Sequence, residues 1–161
     1  MLNQHKNSSQ VNTDASEYTV TPIGIVQPSP YRDRQAAAPQ GEDKISHIEI
    51  FAEYAEGLQD IEGFSHINVF YWLHQSQGYS LVVQPPFDTP KHGVFATRSP
   101  NRPNPLGFAV VELVERKGLT LVVRGLDAIE GTPVVDIKPH IPNIDARPEA
   151  TRGWLEGKTD K

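Results

Sequence analysis

Three prolines, Pro100, Pro103 and Pro105, punctuate the stretch from Gly93 to Gly107, which reads Gly-Val-Phe-Ala-Thr-Arg-Ser-Pro-Asn-Arg-Pro-Asn-Pro-Leu-Gly. Each proline fixes φ, removes an amide donor and restricts the residue before it, so the backbone here is set largely by its own sequence. The expectation is an apolar strand over Gly93 to Thr97 that delivers a rigid loop. Such a loop holds its side chains in place. Arg98, Ser99, Asn101, Arg102 and Asn104 supply guanidinium, hydroxyl and amide groups suited to gripping a carboxylate, a phosphate or the edge of a base. The alternative is a rigid turn whose polar groups satisfy only their own backbone.

Around this loop the chain alternates short apolar runs with turn residues. Tyr18 to Val26 is β-branched but interrupted by Pro22, which suits an edge strand or a bulge. Ser46 to Phe51 and Ser65 to Leu73 read as strands, with a short helix over Ala52 to Leu58 between them. Gly78 opens another apolar segment that ends at Pro85-Pro86. Gly107 to Glu115 and Leu119 to Arg124 flank Lys117-Gly118, a hairpin turn, and Pro133 to Ile137 adds a final strand. Helical character returns at Arg147 to Leu155, with Pro148 in a first-turn position. Many short strands at close spacing predict a mainly β protein, a sandwich or a barrel with short helices.

At 161 residues the chain fits one domain able to bury a sizeable core. The polar segment 1–16 is expected to be a disordered tail and 17–161 the folded domain, with 27–44 a long surface loop. There is no cysteine, which excludes thiol catalysis, disulfides and cysteine-ligated metals. None of the six histidines falls in a metal-binding spacing, and no metal is expected. No apolar run is long enough to span a bilayer, so a soluble, cytoplasmic protein is expected. The net charge of −5 argues against a generally basic nucleic-acid binder. It leaves open a local cleft that gathers Arg32, Arg34, Arg98 and Arg102.

The proline-rich loop resembles the signature of the YaeB-like (TsaA-like) family, S-adenosylmethionine-dependent methyltransferases that modify N6 of an adenosine beside the tRNA anticodon. Pro22 to Val26 with Ser29-Pro30-Tyr31, Gly63-Phe64-Ser65-His66-Ile67 and Asp127 to Lys138 resemble further family blocks in the family's order. The resemblance covers about Tyr18 to Trp154 and selects a small β-barrel, closed or partly open, over a sandwich. Nothing in the chain supplies the glycine-rich turn of the common S-adenosylmethionine enzymes, so the methyltransferase expectation rests on the resemblance.

That resemblance implies roles for particular residues. Pro39, Gln40, His66, Ile67, Arg98, Leu106, Asp127, Glu130, Gly131 and Thr132 are expected to contact the cofactor, with Arg98 on its carboxylate. Tyr31, Arg32, Asn101, Arg102 and Asn104 are expected to face the substrate, the tRNA anticodon stem-loop carrying a threonylcarbamoyl-modified adenosine. An adenine N6 amine is a poor nucleophile, and a carboxylate accepting its hydrogen would help; Asp136 and Glu130 are the candidates. Asp136 can equally pair with Lys138. Tyr71 and Trp72 are adjacent on a strand and face opposite sides, so one belongs to the core. Trp154 is read as docking the final helix. A homodimer is expected from the family. A small-molecule acceptor, or a non-catalytic barrel binding the cofactor or RNA, are the alternatives.

Overall fold

Alternation of buried and exposed residues along six short strands closes this chain into a barrel. The computed structural model describes residues 18–28, 44–86 and 90–158. Its strands are β1 (Gly24–Val26), β2 (Ile45–Ile50), β3 (His66–Trp72), β4 (Val82–Val83), β5 (His92–Gly93), β6 (Leu106–Lys117), β7 (Thr120–Arg124) and β8 (Pro133–Pro139). The barrel order is β1-β2-β7-β6-β3-β8, and β4 and β5 form a separate two-stranded sheet. Every pairing is antiparallel. The mainly β expectation and the barrel both hold.

Side-chain period two places one set of residues inside. Ile48 and Ile50 of β2, Ile67, Val69 and Tyr71 of β3, Val111 and Leu113 of β6, Leu121 and Val123 of β7, and Val134 of β8 form one core. Each fully buried branched side chain contributes roughly 1.5–3 kcal/mol relative to exposure. Register shifts at Leu113/Glu115 and at Phe70/Tyr71 bend the strands, as closure of a small barrel requires. The β6–β7 hairpin turns at Gly118-Leu119, one residue later than expected, with Gly118 at φ +62° in its first central position.

One end of the barrel carries the 3-10 turns Ala52–Leu58 and Ile61–Gly63, which lead into β3 at His66. The proline-rich loop lies at the other end, where Leu73 N–H donates to the Pro105 carbonyl just beyond β3.

Three local expectations are corrected. Gly93 to Thr97 is not a strand: β5 ends at Gly93, and Val94–Ala96 is a 3-10 turn. The Val94 carbonyl accepts from both the amide and the hydroxyl of Thr97, which closes the turn in place of a ladder. Arg147 to Leu155 is not a helix either. Only Gly153–Leu155 forms a 3-10 turn, because Gly153 sits at φ +57° and Pro148 holds Arg147 away from helical backbone. The α-helix of this region, α1, is Pro142–Asp145, with proline at its first position. At the start of the chain, only Gly24–Val26 of the expected 18–26 segment is strand. The expected tail and most of the 27–44 loop lie outside the described residues.

Candidate functional site

β6 is longer than the strand it pairs with on one side. β7 stops at Arg124, opposite Glu112, so among the described residues Leu106–Val111 has β3 along one edge and no strand along the other. A groove of about 1000 Å³ occupies this opening. That is at the upper end of the 300–1,000 Å³ range typical of small-molecule sites.

The first wall is the proline-rich loop. Arg98, Pro100, Asn101 and Arg102 line the groove. The loop is braced internally: Ser99 N–H donates to Thr97 Oγ1 at 3.3 Å, and Arg102 Nη1 donates to the Thr97 carbonyl at 3.3 Å. Ser76 Oγ lies 2.9 Å from the Pro100 carbonyl and 3.0 Å from Asn101 Oδ1, tying the loop to the segment after β3. These contacts hold several of its polar groups, as a self-satisfied turn would. Arg98 differs, because it is exposed and forms no ion pair among the described residues. The loop thus presents to the groove two guanidinium groups with no acidic partner among the described residues, Arg102 braced on the Thr97 carbonyl and Arg98 exposed. Asn104 is exposed but does not line it.

The second wall is the acidic turn after β7, through Gly125, Asp127, Ala128, Ile129 and Thr132. Tyr71, 5% exposed, donates its hydroxyl to the Asp127 carbonyl at 2.9 Å. Lys44 Nζ donates to the Ala128 carbonyl at 2.7 Å, and Gly131, at φ +78°, donates its amide to Val26 at 2.9 Å. The turn is therefore anchored from β1, β3 and the residue before β2. Burial, with the Asp127 charge adding to it, raises the Tyr71 phenol above its ordinary value, while Arg98 opposes the shift. Tyr71 stays a neutral donor, and both groups of opposite sign act on it from the two walls. Its pairing partner Gly107 has no room for a side chain, since a Cβ there would meet Tyr71 Cε2 at 2.1 Å.

The floor is the outer face of β6 and β3. Leu106, Phe108 and Val110 are more than 40% exposed, and Glu112 faces His66 across the strands while pairing with Arg124 at 3.1 Å. Leu73, His74 and Gln75 complete the rim.

The groove brings together His66, Arg98, Asn101, Arg102, Leu106, Asp127 and Thr132 from the residues expected in a site. Ile67 is fully buried in the core. Asp136 pairs with Lys138 and lines a different cavity, of about 470 Å³, with Ile23, Tyr54, Leu58 and Phe64. Glu130 and Gly131 are half-buried neighbours of the acidic turn but not lining residues. Tyr31, Arg32, Pro39 and Gln40 lie outside the described residues. Sequence reasoning missed Gln75 and Ser76, which follow β3 beside the proline-rich loop, and Glu112 and Arg124, which meet through the β6–β7 register. Among the described residues no group of three or more histidines or acids is arranged to hold a metal ion.

Residues 26–146 match the family model of the tRNA-methyltransferase O N-terminal domain. The chain belongs to that family. The tRNA-methyltransferase O resemblance extends to a probable S-adenosyl-L-methionine-binding protein of Archaeoglobus fulgidus, 52% identical over 136 residues, covering 83% of this chain and 37% of that protein. A second, from Pyrococcus abyssi, is 47% identical over 87% of this chain and 77% of its own length. The tRNA (adenine(37)-N6)-methyltransferase of Escherichia coli K12 is 34% identical over 88% of this chain and 65% of its own. A crystal structure of TrmO from Pseudomonas aeruginosa superposes with a TM-score of 0.67 at 30% identity, covering 86% of this chain and 63% of that one. The chain thus spans little more than a third of the Archaeoglobus relative and about two thirds of the Escherichia coli enzyme.

Proposed function

We propose that this protein is an S-adenosylmethionine-dependent methyltransferase acting in the cytoplasm on N6 of the threonylcarbamoyl-modified adenosine 3′ of the tRNA anticodon. The observation that carries the reading is Arg98, a guanidinium without an acidic partner among the described residues, facing an anchored acidic turn across a groove of cofactor size. The names of the relatives support the same cofactor and reaction.

The donor set fits the group. Arg98 is suited to the carboxylate of S-adenosylmethionine, and Asp127, Thr132 and the turn's backbone to its hydroxyls and amine. His66 and Leu106 line the remaining length of the groove. When bound, the cofactor supplies a methyl group on a sulfonium whose thioether leaves readily. The protein's task is then positioning and charge placement. The braced loop fixes Arg98, and the Tyr71 bond fixes Asp127, so both walls are set before any ligand arrives.

Of the two acids proposed to assist the acceptor amine, Glu130 adjoins the acidic wall of the groove, whereas Asp136 lines the other cavity. Glu130 is therefore the stronger candidate for accepting the N6 proton. Asn101 and Arg102, with Asn104, Tyr31 and Arg32, are proposed to meet the anticodon loop, where unstacked bases are read by stacking and edge contacts. Phe95, 77% exposed three residues before Arg98, offers such a stacking surface.

A homodimer completes this reading. Leu106, Phe108, Val110 and Val114 expose an apolar stripe on the outer face of β6, and the Phe70 ring extends it, its centroid 5.1 Å from that of Phe108. A second copy approaching this face would also close the open side of the groove, whose floor Leu106, Phe108 and Val110 form.

The test is transfer of labelled methyl from S-adenosylmethionine to anticodon stem-loops with and without the threonylcarbamoyl group. Transfer only to the modified stem-loop is expected; no transfer to either would remove the activity. The net charge of −5 favours a second reading, a small-molecule acceptor. Binding of tRNA that weakens steeply as salt rises would exclude it.

A further inference from the structure

We propose that Trp154 is a positioning residue: the C-terminal segment latches the base of the proline-rich loop and so sets Arg98 and Arg102. Three contacts carry this. Trp154 Nε1 donates to the Ala96 carbonyl at 2.7 Å. Its indole stacks on His92, with ring centroids 4.0 Å apart and planes 16° from parallel. Lys158 Nζ lies over the indole, 5.0 Å from the ring centroid.

His92 and Ala96 bracket the 3-10 turn Val94–Ala96, so the indole grips that turn at both ends. The turn is also anchored inward by Val94, 1% exposed. The residue after Ala96 is Thr97, whose carbonyl accepts from Arg102 and whose hydroxyl accepts from the Ser99 amide. One peptide unit therefore separates the indole bond from the contacts that shape the loop. Arg98 follows directly.

The latch lies apart from the barrel's stabilising core, which among the described residues includes nothing beyond Ile137. Loss of the indole is expected to loosen the loop while leaving the barrel closed. Local opening of this kind appears in amide exchange before it appears in global stability.

The test is amide hydrogen exchange on the full-length protein without ligand, comparing wild type with Trp154→Ala and Trp154→Phe. The amides of Thr97, Ser99, Arg102 and Leu106 are hydrogen-bonded within the loop region and report its order. In Trp154→Ala they are expected to exchange about tenfold faster or more while β3, β6 and β7 are unchanged; Trp154→Phe, which keeps a ring on His92 but loses the donor, falls between. Unchanged exchange over 97–106, or an equal rise throughout the barrel, would overturn the proposal. Should Trp154→Ala not fold, His92→Ala removes the stacking partner and carries the same test.

The consequence for affinity rests on the proposed cofactor reading. Trp154→Ala is expected to weaken S-adenosylmethionine binding several-fold in the wild-type background and not at all beside Arg98→Ala, because it acts through the loop. Additive losses would overturn that consequence. A wild-type protein that binds no S-adenosylmethionine would sink the cofactor reading, while the exchange result would still decide the latch.

Discussion

The Tyr71 hydroxyl donates to the Asp127 carbonyl at 2.9 Å, joining the barrel core to the acidic wall of the groove. Tyr71→Phe removes the donor and leaves the ring in place. It is expected to cost about 1 kcal/mol of stability, and to weaken S-adenosylmethionine binding by less than Arg98→Ala does. Denaturant unfolding checks the first, and titration the second. The raised phenol adds a pH signature: its contribution is complete below the ordinary value of 10.0 and is lost as pH rises through the higher folded value. Wild type should therefore lose stability on the alkaline side more steeply than Tyr71→Phe.

Gly107 is set by the same ring. A Cβ would lie 2.1 Å from Tyr71 Cε2 and 2.5 Å from its Cζ, so the ring or the β3–β6 pairing must move. Gly107→Ala is expected to destabilise the protein by roughly 1–3 kcal/mol or more, in the manner of an overpacked core. Gly93→Ala, where added atoms meet nothing within 4 Å, is the control and should unfold close to wild type.

The hairpin and the mainly β fold were legible because β-branched residues at period two, broken by Gly118, read the same way locally and globally, while the choice of a barrel over a sandwich rests on the family resemblance. The loop was legible as a rigid donor set, since its prolines impose their backbone whatever surrounds them. What escaped was tertiary. The apolar Val94 suits a strand locally, whereas Thr97 captures its carbonyl and closes a turn. Arg147 to Leu155 has helical character locally, yet Gly153 takes φ +57° and the Trp154 indole bonds to Ala96. Glu112 and Arg124 meet at the groove only through the register of β6 against β7, which no local pattern announces.

Asp145 gives an acid-side prediction. The Ile141 amide, then Asn68, His140 and Arg147, hold its carboxyl below the ordinary 3.8 against an opposing effect of burial. A lowered carboxylate stabilises above its ordinary value and ceases to as pH falls through the folded one. Wild type should loosen around 140–147 as pH drops below about 4, seen by amide exchange, and Asp145→Asn should flatten that dependence.

The exposed stripe of β6 predicts association. Phe108→Glu places a charge at the centre of the proposed interface and should shift the sedimentation velocity of the protein from dimer to monomer. A wild type that sediments as a monomer at high concentration would remove the dimer from the account.

The central claim is that Arg98 holds the carboxylate of S-adenosylmethionine, and calorimetric titration of wild type and Arg98→Ala tests it most directly. A charge-assisted pair of about 1.5–3 kcal/mol predicts binding in the micromolar range that weakens about tenfold or more on substitution. Equal affinity in the two proteins, or no uptake by a folded wild type, would contradict it.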